Sequence, residues 1–422
     1  MSYALMTDRY ELTMLEAAMR SGKAERKCVF EVFTRSLPNG RRYGVLAGTG
    51  RVLDAIADFR FGTAELDFLA EEKIVGPKTL EFLADYKFDG TITGYAEGEL
   101  YFPGSPVMTV EGSFASAVIL ETVILSILNY DSAVASAAAR MFSAAQGRTL
   151  VEMGARRAHE EAAVAAARAA YLVGFSSTSN LEAGRRFGIP TMGTSAHAFT
   201  LLHDSEREAF EAQIASHGKK TTLLVDTYDI PEAVKLAVEL TGGELSAVRI
   251  DSGDLGQTAV AVRKQLDQLG ANKTQIVVTS DLDEYTIAGL ASAPVDRYGV
   301  GTSLVTGSGS PTAGFVYKLV AHETDAGWVD VAKKSAGKAS VGGKKHATRR
   351  TEQGIAAAEL IGNPSEGRKL QQLLWDQGPN HTMIGSTGSD LARENHKLAM
   401  AELPPAGRRL SKGEPAIPTE YV

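Results

Sequence analysis

The sequence predicts an α/β protein. A run of parallel βα units occupies the middle of the chain, and both chain ends contribute to a second, smaller α+β domain. Three observations predict this. Residues 171–301 alternate short apolar runs with helical stretches, a spacing that argues for parallel βα units; six strand candidates in succession fit a barrel or a doubly wound sheet. The chain has 422 residues, more than one small domain needs and enough for a large core. Beyond Tyr317 the alternation stops, and the basic, glycine-punctuated stretch 327–354 matches the first section in composition better than the middle. The expected bounds are 1–113 and 319–422 for the α+β domain and 114–318 for the barrel.

In chain order, Thr7 or Asp8 is placed to cap a helix running through residues 14–19. Residues 27–34, KCVFEVFT, alternate in the manner of a half-buried strand. Pro38-Asn39-Gly40 is turn chemistry flanked by Arg35, Arg41 and Arg42. Residues 82–110 read as several short strands separated by glycines and prolines, and long helices follow at 114–129 and 132–146. The middle strands are expected at 171–175, 189–192, 221–225, 247–250, 275–279 and 298–301. Helices are expected between them at 179–187, 198–216, 231–240, 255–269 and 283–290. The stretch 327–354 reads as a β-meander, and the proline-bearing tail 404–422 as an extended surface segment.

Charge narrows the function. The balance of 44 Lys+Arg against 51 Asp+Glu, a formal net charge of -7, leaves no footprint for nucleic acid or an acidic membrane. Any phosphate site must therefore be a local cluster. A single cysteine, Cys28, excludes an intrachain disulfide and a cysteine-built zinc site, and suits a reducing compartment. The start MSYALMTDRYELT lacks the basic residues and apolar core of a secretory signal. The most apolar region, 116–145, is interrupted by Glu121, Asp131 and Arg140. The expectation is a cytoplasmic protein with neither membrane nor nucleic-acid partners.

Polar residues gather where the expected strands end, which is where parallel α/β folds place their functional groups. Ser176-Ser177-Thr178-Ser179-Asn180 follow the first run, and Gly193-Thr194-Ser195-Ala196-His197 the second. Asp226 and Thr227 follow the third; Arg249 and Asp251-Ser252-Gly253-Asp254 close the fourth. Ser280, Asp281 and Asp283 follow the fifth, and Gly299-Val300-Gly301-Thr302-Ser303 ends the series. One such end is ordinary cap or turn chemistry; six in register outline an active site.

Thr194 or Ser195 is placed to cap a helix carrying His197 in its first turn, where free N–H groups and the helix dipole favour anions. Taken alone, that histidine reads first as a satisfied, partly buried side chain. The glycines at 299 and 301 bare N–H groups that can cradle phosphate, though glycines also serve plain turns. Arg140, Arg156, Arg157 and Arg249 add positive charge, and Asp251 and Asp254 are carboxylates of the kind that serve Mg²⁺ beside phosphates. Asp254 is equally placed to cap the helix at 255–269. These features indicate a phosphorylated substrate with Mg²⁺ and leave the reaction open.

The ordered motifs decide it. Thr7-Asp8-Arg9-Tyr10-Glu11-Leu12-Thr13-Met14, Phe30-Glu31-Val32-Phe33, Glu152-Met153-Gly154-Ala155-Arg156-Arg157-Ala158, Ser179-Asn180, Gly193-Thr194-Ser195-Ala196-His197, Val248-Arg249-Ile250-Asp251-Ser252-Gly253-Asp254-Leu255 and Gly299-Val300-Gly301-Thr302-Ser303 resemble the nicotinate phosphoribosyltransferase family over nearly the whole chain. Each motif is modestly specific, and their order and spacing together are highly specific. The resemblance implies the irregular α/β barrel of the type II phosphoribosyltransferases. It implies ATP-coupled joining of nicotinate to phosphoribosyl pyrophosphate, with Mg²⁺, giving nicotinate mononucleotide and pyrophosphate, in a homodimer with shared active sites.

By the same resemblance His197 is the histidine phosphorylated by ATP, and Asp251 serves the sugar or the metal. Tyr10 stacks on the pyridine ring across the dimer, and Arg156 meets the ring carboxylate. Gly299, Gly301 and Thr302 hold the 5′-phosphate, while Thr194, Arg249, Gly253 and Asp281 line the substrate pocket. Met153 stands where relatives often place a second stacking aromatic, so a thioether contact replaces it. Nicotinamide phosphoribosyltransferase shares this fold and mechanism, and Arg156 with Asn180 favours the acid over the amide. A non-catalytic nucleotide sensor on the same scaffold would have no reason to keep His197, Asp251 and Arg156 together.

Overall fold

A computed structural model describes residues 3–334 and 340–422. The chain divides into two compact units, Ala137–Gly309 and Met1–Ser136 with Ser310–Val422. The divisions fall inside the expected barrel, 114–318, at both ends. At the first, the helix Glu121–Ala144 begins in the core of the two-ended unit, where Ile124, Ile127 and Leu128 are buried, and continues into the middle unit. The two-ended unit is the larger of the two rather than the smaller.

The middle unit is an α/β fold around a curled, wholly parallel sheet. Its strand order is Ser177–Thr178, Thr149–Glu152, Arg297–Val300, Gln275–Val278, Ala247–Ile250 and Thr222–Leu224. This order is a cyclic permutation of chain order, which belongs to a barrel and not to a doubly wound sheet. Thr191 extends it by a parallel bridge to Thr178. Among the described residues no ladder joins Thr191 to Thr222–Leu224, so the sheet is a half-barrel, open where the His197 segment leaves it. Val248, Ile250, Ile276, Val278 and Val300 are all buried, as parallel strands covered on both faces require.

Three expected elements differ. Residues 171–175 are not a strand: Tyr171 and Leu172 finish the alanine-rich helix Glu160–Leu172, and the strand begins only at Ser177, beyond the left-handed Gly174. Residues 189–192 make only a bridge, because Pro190 has no N–H for a ladder and offers only its carbonyl, to Thr178. The expected helix 198–216 is two helices, His197–Leu202 and Glu206–His217, the second capped by Ser205 accepting from the Glu208 N–H. The strand Thr149–Glu152 was hidden between long helices.

In the two-ended unit an antiparallel six-stranded sheet runs Gly327–Asp330, Phe315–Thr324, Lys27–Thr34, Met108–Ser113, Thr91–Tyr95 and Gln371–Asp376. Of the expected meander at 327–354, Gly327–Asp330 and His346–Glu352 are strands, and residues 335–339 lie outside the described residues. In the tail 404–422, Pro405–Arg408 is a 3₁₀ turn, Ile417 is buried and Thr419–Tyr421 pairs with Ile355–Gly362. The apolar stretch 114–144 has the length and composition of a membrane span, yet two-thirds of its most apolar window (67%) is buried within the protein, as in a core helix.

Candidate active site

The C-terminal ends of the parallel strands converge on a cavity of roughly 600 Å³. Arg156, Thr194, Arg249, Asp251, Asp281, Gly299, Gly301 and Thr302 line it, as do Met153, Arg157 and Thr279. The half-barrel thus gathers residues separated by some 150 positions in the chain into one chamber, as strand-end chemistry in parallel sheets requires.

His197 opens its helix beside this chamber, next to Ala196, which lines it. Its Nδ1 lies 3.1 Å from the Thr227 hydroxyl, and its Nε2 stands 3.9 Å from Asp226 Oδ1 and 4.0 Å from Asp251 Oδ2. The imidazole side chain is 40% exposed and therefore open to a reagent, while the Asp226 carboxylate is almost wholly buried. Asp226 Oδ2 accepts the Asp251 N–H at 2.8 Å and the Ser252 hydroxyl at 2.6 Å. Its Oδ1 is buried with no hydrogen-bond partner among the described residues. A buried, unsatisfied carboxylate oxygen is costly, and the imidazole is the donor within a small movement of it.

Arg249 ties the histidine segment to the sheet. Its Nε donates to Thr279 Oγ1 at 3.0 Å, and one terminal nitrogen donates to Thr194 Oγ1 at 3.0 Å and the Ser195 carbonyl at 3.3 Å. The other stands 3.4 Å from Asp251 Oδ1, which also accepts from the Thr279 hydroxyl. Thr194 and Ser195 are consequently not helix caps: Ala196 occupies the cap position without a side-chain bond, because the Thr194 hydroxyl is engaged by Arg249.

The floor of the chamber depends on close approach. A Cβ on Gly299 would lie 2.5 Å from Thr279 Cγ2 and 2.7 Å from Met153 Sδ, so only glycine lets Met153 pack there. Gly154 is equally confined, its hypothetical Cβ 2.2 Å from Val305 Cγ1. Glu152, fully buried, accepts the Gly154 N–H and the Thr178 hydroxyl and so fixes the turn Ala155–Arg157. Burial pushes the Glu152 carboxyl up, and those two hydrogen bonds oppose it. Ser280, at φ 116°, holds a strained backbone in the wall.

Other expected site residues lie elsewhere. Asn180 caps the helix Leu181–Phe187 through the Ala183 N–H and does not line the chamber; its neighbour Ser179 does. Gly253 makes a left-handed turn outside the lining, and Asp254 caps Leu255–Gln268. Arg140 is paired with Glu284 at 3.0 Å. Tyr10 belongs to the other unit, on the helix Arg9–Arg20, and is 45% exposed; partial burial and the carboxylates of Glu121, Glu11 and Asp8 raise its phenol above the ordinary value. Glu152 and Thr279 were given no role from sequence, and Asp226, Thr227 and Ser280 were noted only as strand ends.

Comparison with known proteins gives these features a context. Residues 5–129 match the nicotinate phosphoribosyltransferase N-terminal domain, and residues 149–364 the nicotinate phosphoribosyltransferase family. The chain is 54% identical to nicotinate phosphoribosyltransferase pncB1 of Mycobacterium tuberculosis, over 99% of this chain and 95% of the relative. It is 39% identical to the nicotinate phosphoribosyltransferase of Bacillus subtilis, over 94% of this chain and 84% of that protein. The crystal structure of human nicotinic acid phosphoribosyltransferase superposes with a TM-score of 0.83 at 26% identity, over 99% of this chain and 97% of that one.

Proposed function

The chain belongs to the nicotinate phosphoribosyltransferase family, enzymes of NAD biosynthesis, and from that premise we propose how its residues divide the work. Nicotinate and phosphoribosyl pyrophosphate meet in the chamber at the strand ends and leave as nicotinate mononucleotide and pyrophosphate. Arg156 holds the nicotinate carboxylate; it lines the chamber, is exposed, and has no acidic partner among the described residues. Because Asn180 is occupied as a cap, the preference for acid over amide rests on Arg156. The backbone at Gly299, Gly301 and Thr302 receives the 5′-phosphate.

Asp251 faces the carbon that gains oxocarbenium character as pyrophosphate leaves. Mg²⁺ supplies charge neutralisation on the leaving group when bound. Among the described residues no cluster of three or more His, Cys, Asp or Glu could hold a metal alone, so Asp251 and Asp281 would share the ion with substrate oxygens, as Mg²⁺ tolerates well.

ATP enters through His197. One ring nitrogen attacks the γ-phosphorus and ADP departs, while the neighbouring carboxylate of Asp226 holds the proton on the other nitrogen. The single observation that carries this role is the array of His197 facing Asp226 Oδ1, an otherwise unpartnered buried oxygen. The active form is a homodimer in which Tyr10, exposed on its helix, stacks on the ring bound by a second copy. A reducing cytoplasm suits the buried free thiol of Cys28.

The test is turnover. Purified protein given nicotinate, phosphoribosyl pyrophosphate and Mg²⁺ should make nicotinate mononucleotide, faster with ATP, and nicotinamide at equal concentration should compete poorly. Preferential use of nicotinamide would overturn the assignment of Arg156.

A further inference from the structure

We infer that Arg157, the neighbour of Arg156, grips the diphosphate of the sugar donor. The inference rests on the reading of the chamber given above. Three arginines line that chamber: Arg156, Arg157 and Arg249. The charge of Arg249 is already committed to Asp251, Thr279 and Thr194. Arg156 and Arg157 are both exposed, and among the described residues neither has an acidic partner.

The two residues sit in one 3₁₀ turn, Ala155–Arg157. Three residues complete such a turn, so consecutive side chains diverge by about 120°. Adjacent guanidinium groups that diverge so widely address two different anions rather than clamp one. The substrates carry three anionic groups. The nicotinate carboxylate is taken by Arg156, and the 5′-phosphate by the backbone near Gly299. The diphosphate remains, and it is the most highly charged of the three. When the bond from the ribose carbon to the diphosphate oxygen breaks, its electron pair stays with that oxygen, and the lone pair of the pyridine nitrogen makes the new C–N bond. No proton moves. Negative charge grows on the leaving group alone, where a bidentate guanidinium helps most.

The turn is held for this purpose from below. Glu152 accepts the Gly154 N–H, and Gly154 has no room for a side chain, so the backbone that carries both arginines is held by buried structure.

The experiment compares wild type with Arg157→Gln and Arg157→Lys. Steady-state kinetics are measured for each substrate, and inorganic pyrophosphate with Mg²⁺ is titrated calorimetrically into each protein. In Arg157→Gln, both the KM for phosphoribosyl pyrophosphate and the dissociation constant for Mg²⁺-pyrophosphate should rise about tenfold or more, with the nicotinate KM within about twofold of wild type. Arg157→Lys should recover part of the loss, since a point charge remains without the fork. Unchanged pyrophosphate binding, or a rise confined to the nicotinate KM, would overturn the inference. If wild type made no mononucleotide, the reading of the reaction would fail separately, and the pyrophosphate titration would still decide the role of Arg157.

Discussion

In the proposed mechanism Asp226 is the residue on which the chemistry of His197 turns. One of its oxygens is satisfied by the Asp251 N–H and the Ser252 hydroxyl, and the other waits 3.9 Å from the imidazole. Asp226→Asn keeps the shape and an acceptor but removes the charge that faces the ring. We expect ATP stimulation of turnover to fall by about 10- to 100-fold, the usual cost of losing such a partner, with ATP-independent turnover changed by less than about threefold. Equal loss of both rates would place Asp226 in the transfer step instead. The sequence made much of this scale legible: His197, Asp251 and Arg249 were picked by residue type near expected strand ends and Arg156 from its motif, and the fold brings all four to one place. Asn180 caps a helix outside the cavity lining, and a side chain that caps a helix and one that meets a ligand look alike in sequence. Glu152 was passed over because a fully buried carboxylate at the end of an apolar strand has no sequence signature.

At the scale of elements, the helix Gly385–Glu402 carries a buried titratable group. His396 is 4% exposed, and its Nδ1 lies 3.0 Å from the Gly98 carbonyl. Burial lowers its pKa to about 4, against the opposing pull of that carbonyl and of Glu99. The unfolded chain takes up this proton near pH 6.5 and the folded chain only near 4, so the penalty grows as pH falls through that window. It should amount to about 3 kcal/mol at the acid end. Carboxylates with raised pKa values, such as the buried Glu11 and Glu31 and the half-buried Glu121, act in the opposite direction, so the comparison must be differential. Denaturant unfolding of wild type and His396→Gln should show the variant gaining stability relative to wild type as pH falls from 7 to 4. A difference that does not move with pH would contradict this. Element boundaries were legible wherever period and caps agreed: Lys27–Thr34 and Ala247–Ile250 stand as the pattern drew them. They failed where an apolar run could serve helix or strand, at 171–175, and where Pro190 reduced a strand to a bridge.

At the scale of the molecule, the alternation of strands and helices was enough to establish the α/β class, and the closing order of the sheet distinguishes a curled half-barrel from a doubly wound sheet. The alternation alone left that choice open and only the family resemblance implied the barrel, because parallel pairing between Thr149–Glu152 and Arg297–Val300 joins segments far apart in the chain, one of them never marked as a strand. The contribution of both chain ends to one unit was legible in composition, but its size was not. The half-barrel leaves the histidine segment at its unpaired edge beside the cavity, where we propose that phosphorylation of His197 is coupled to mononucleotide synthesis. The most direct measurement is the transfer of labelled γ-phosphate from ATP to the protein. The account predicts an acid-labile, base-stable label at His197, discharged on adding nicotinate, phosphoribosyl pyrophosphate and Mg²⁺ and lost in His197→Ala. An unlabelled protein whose synthesis is still accelerated by ATP, or a label that persists in His197→Ala, would contradict it.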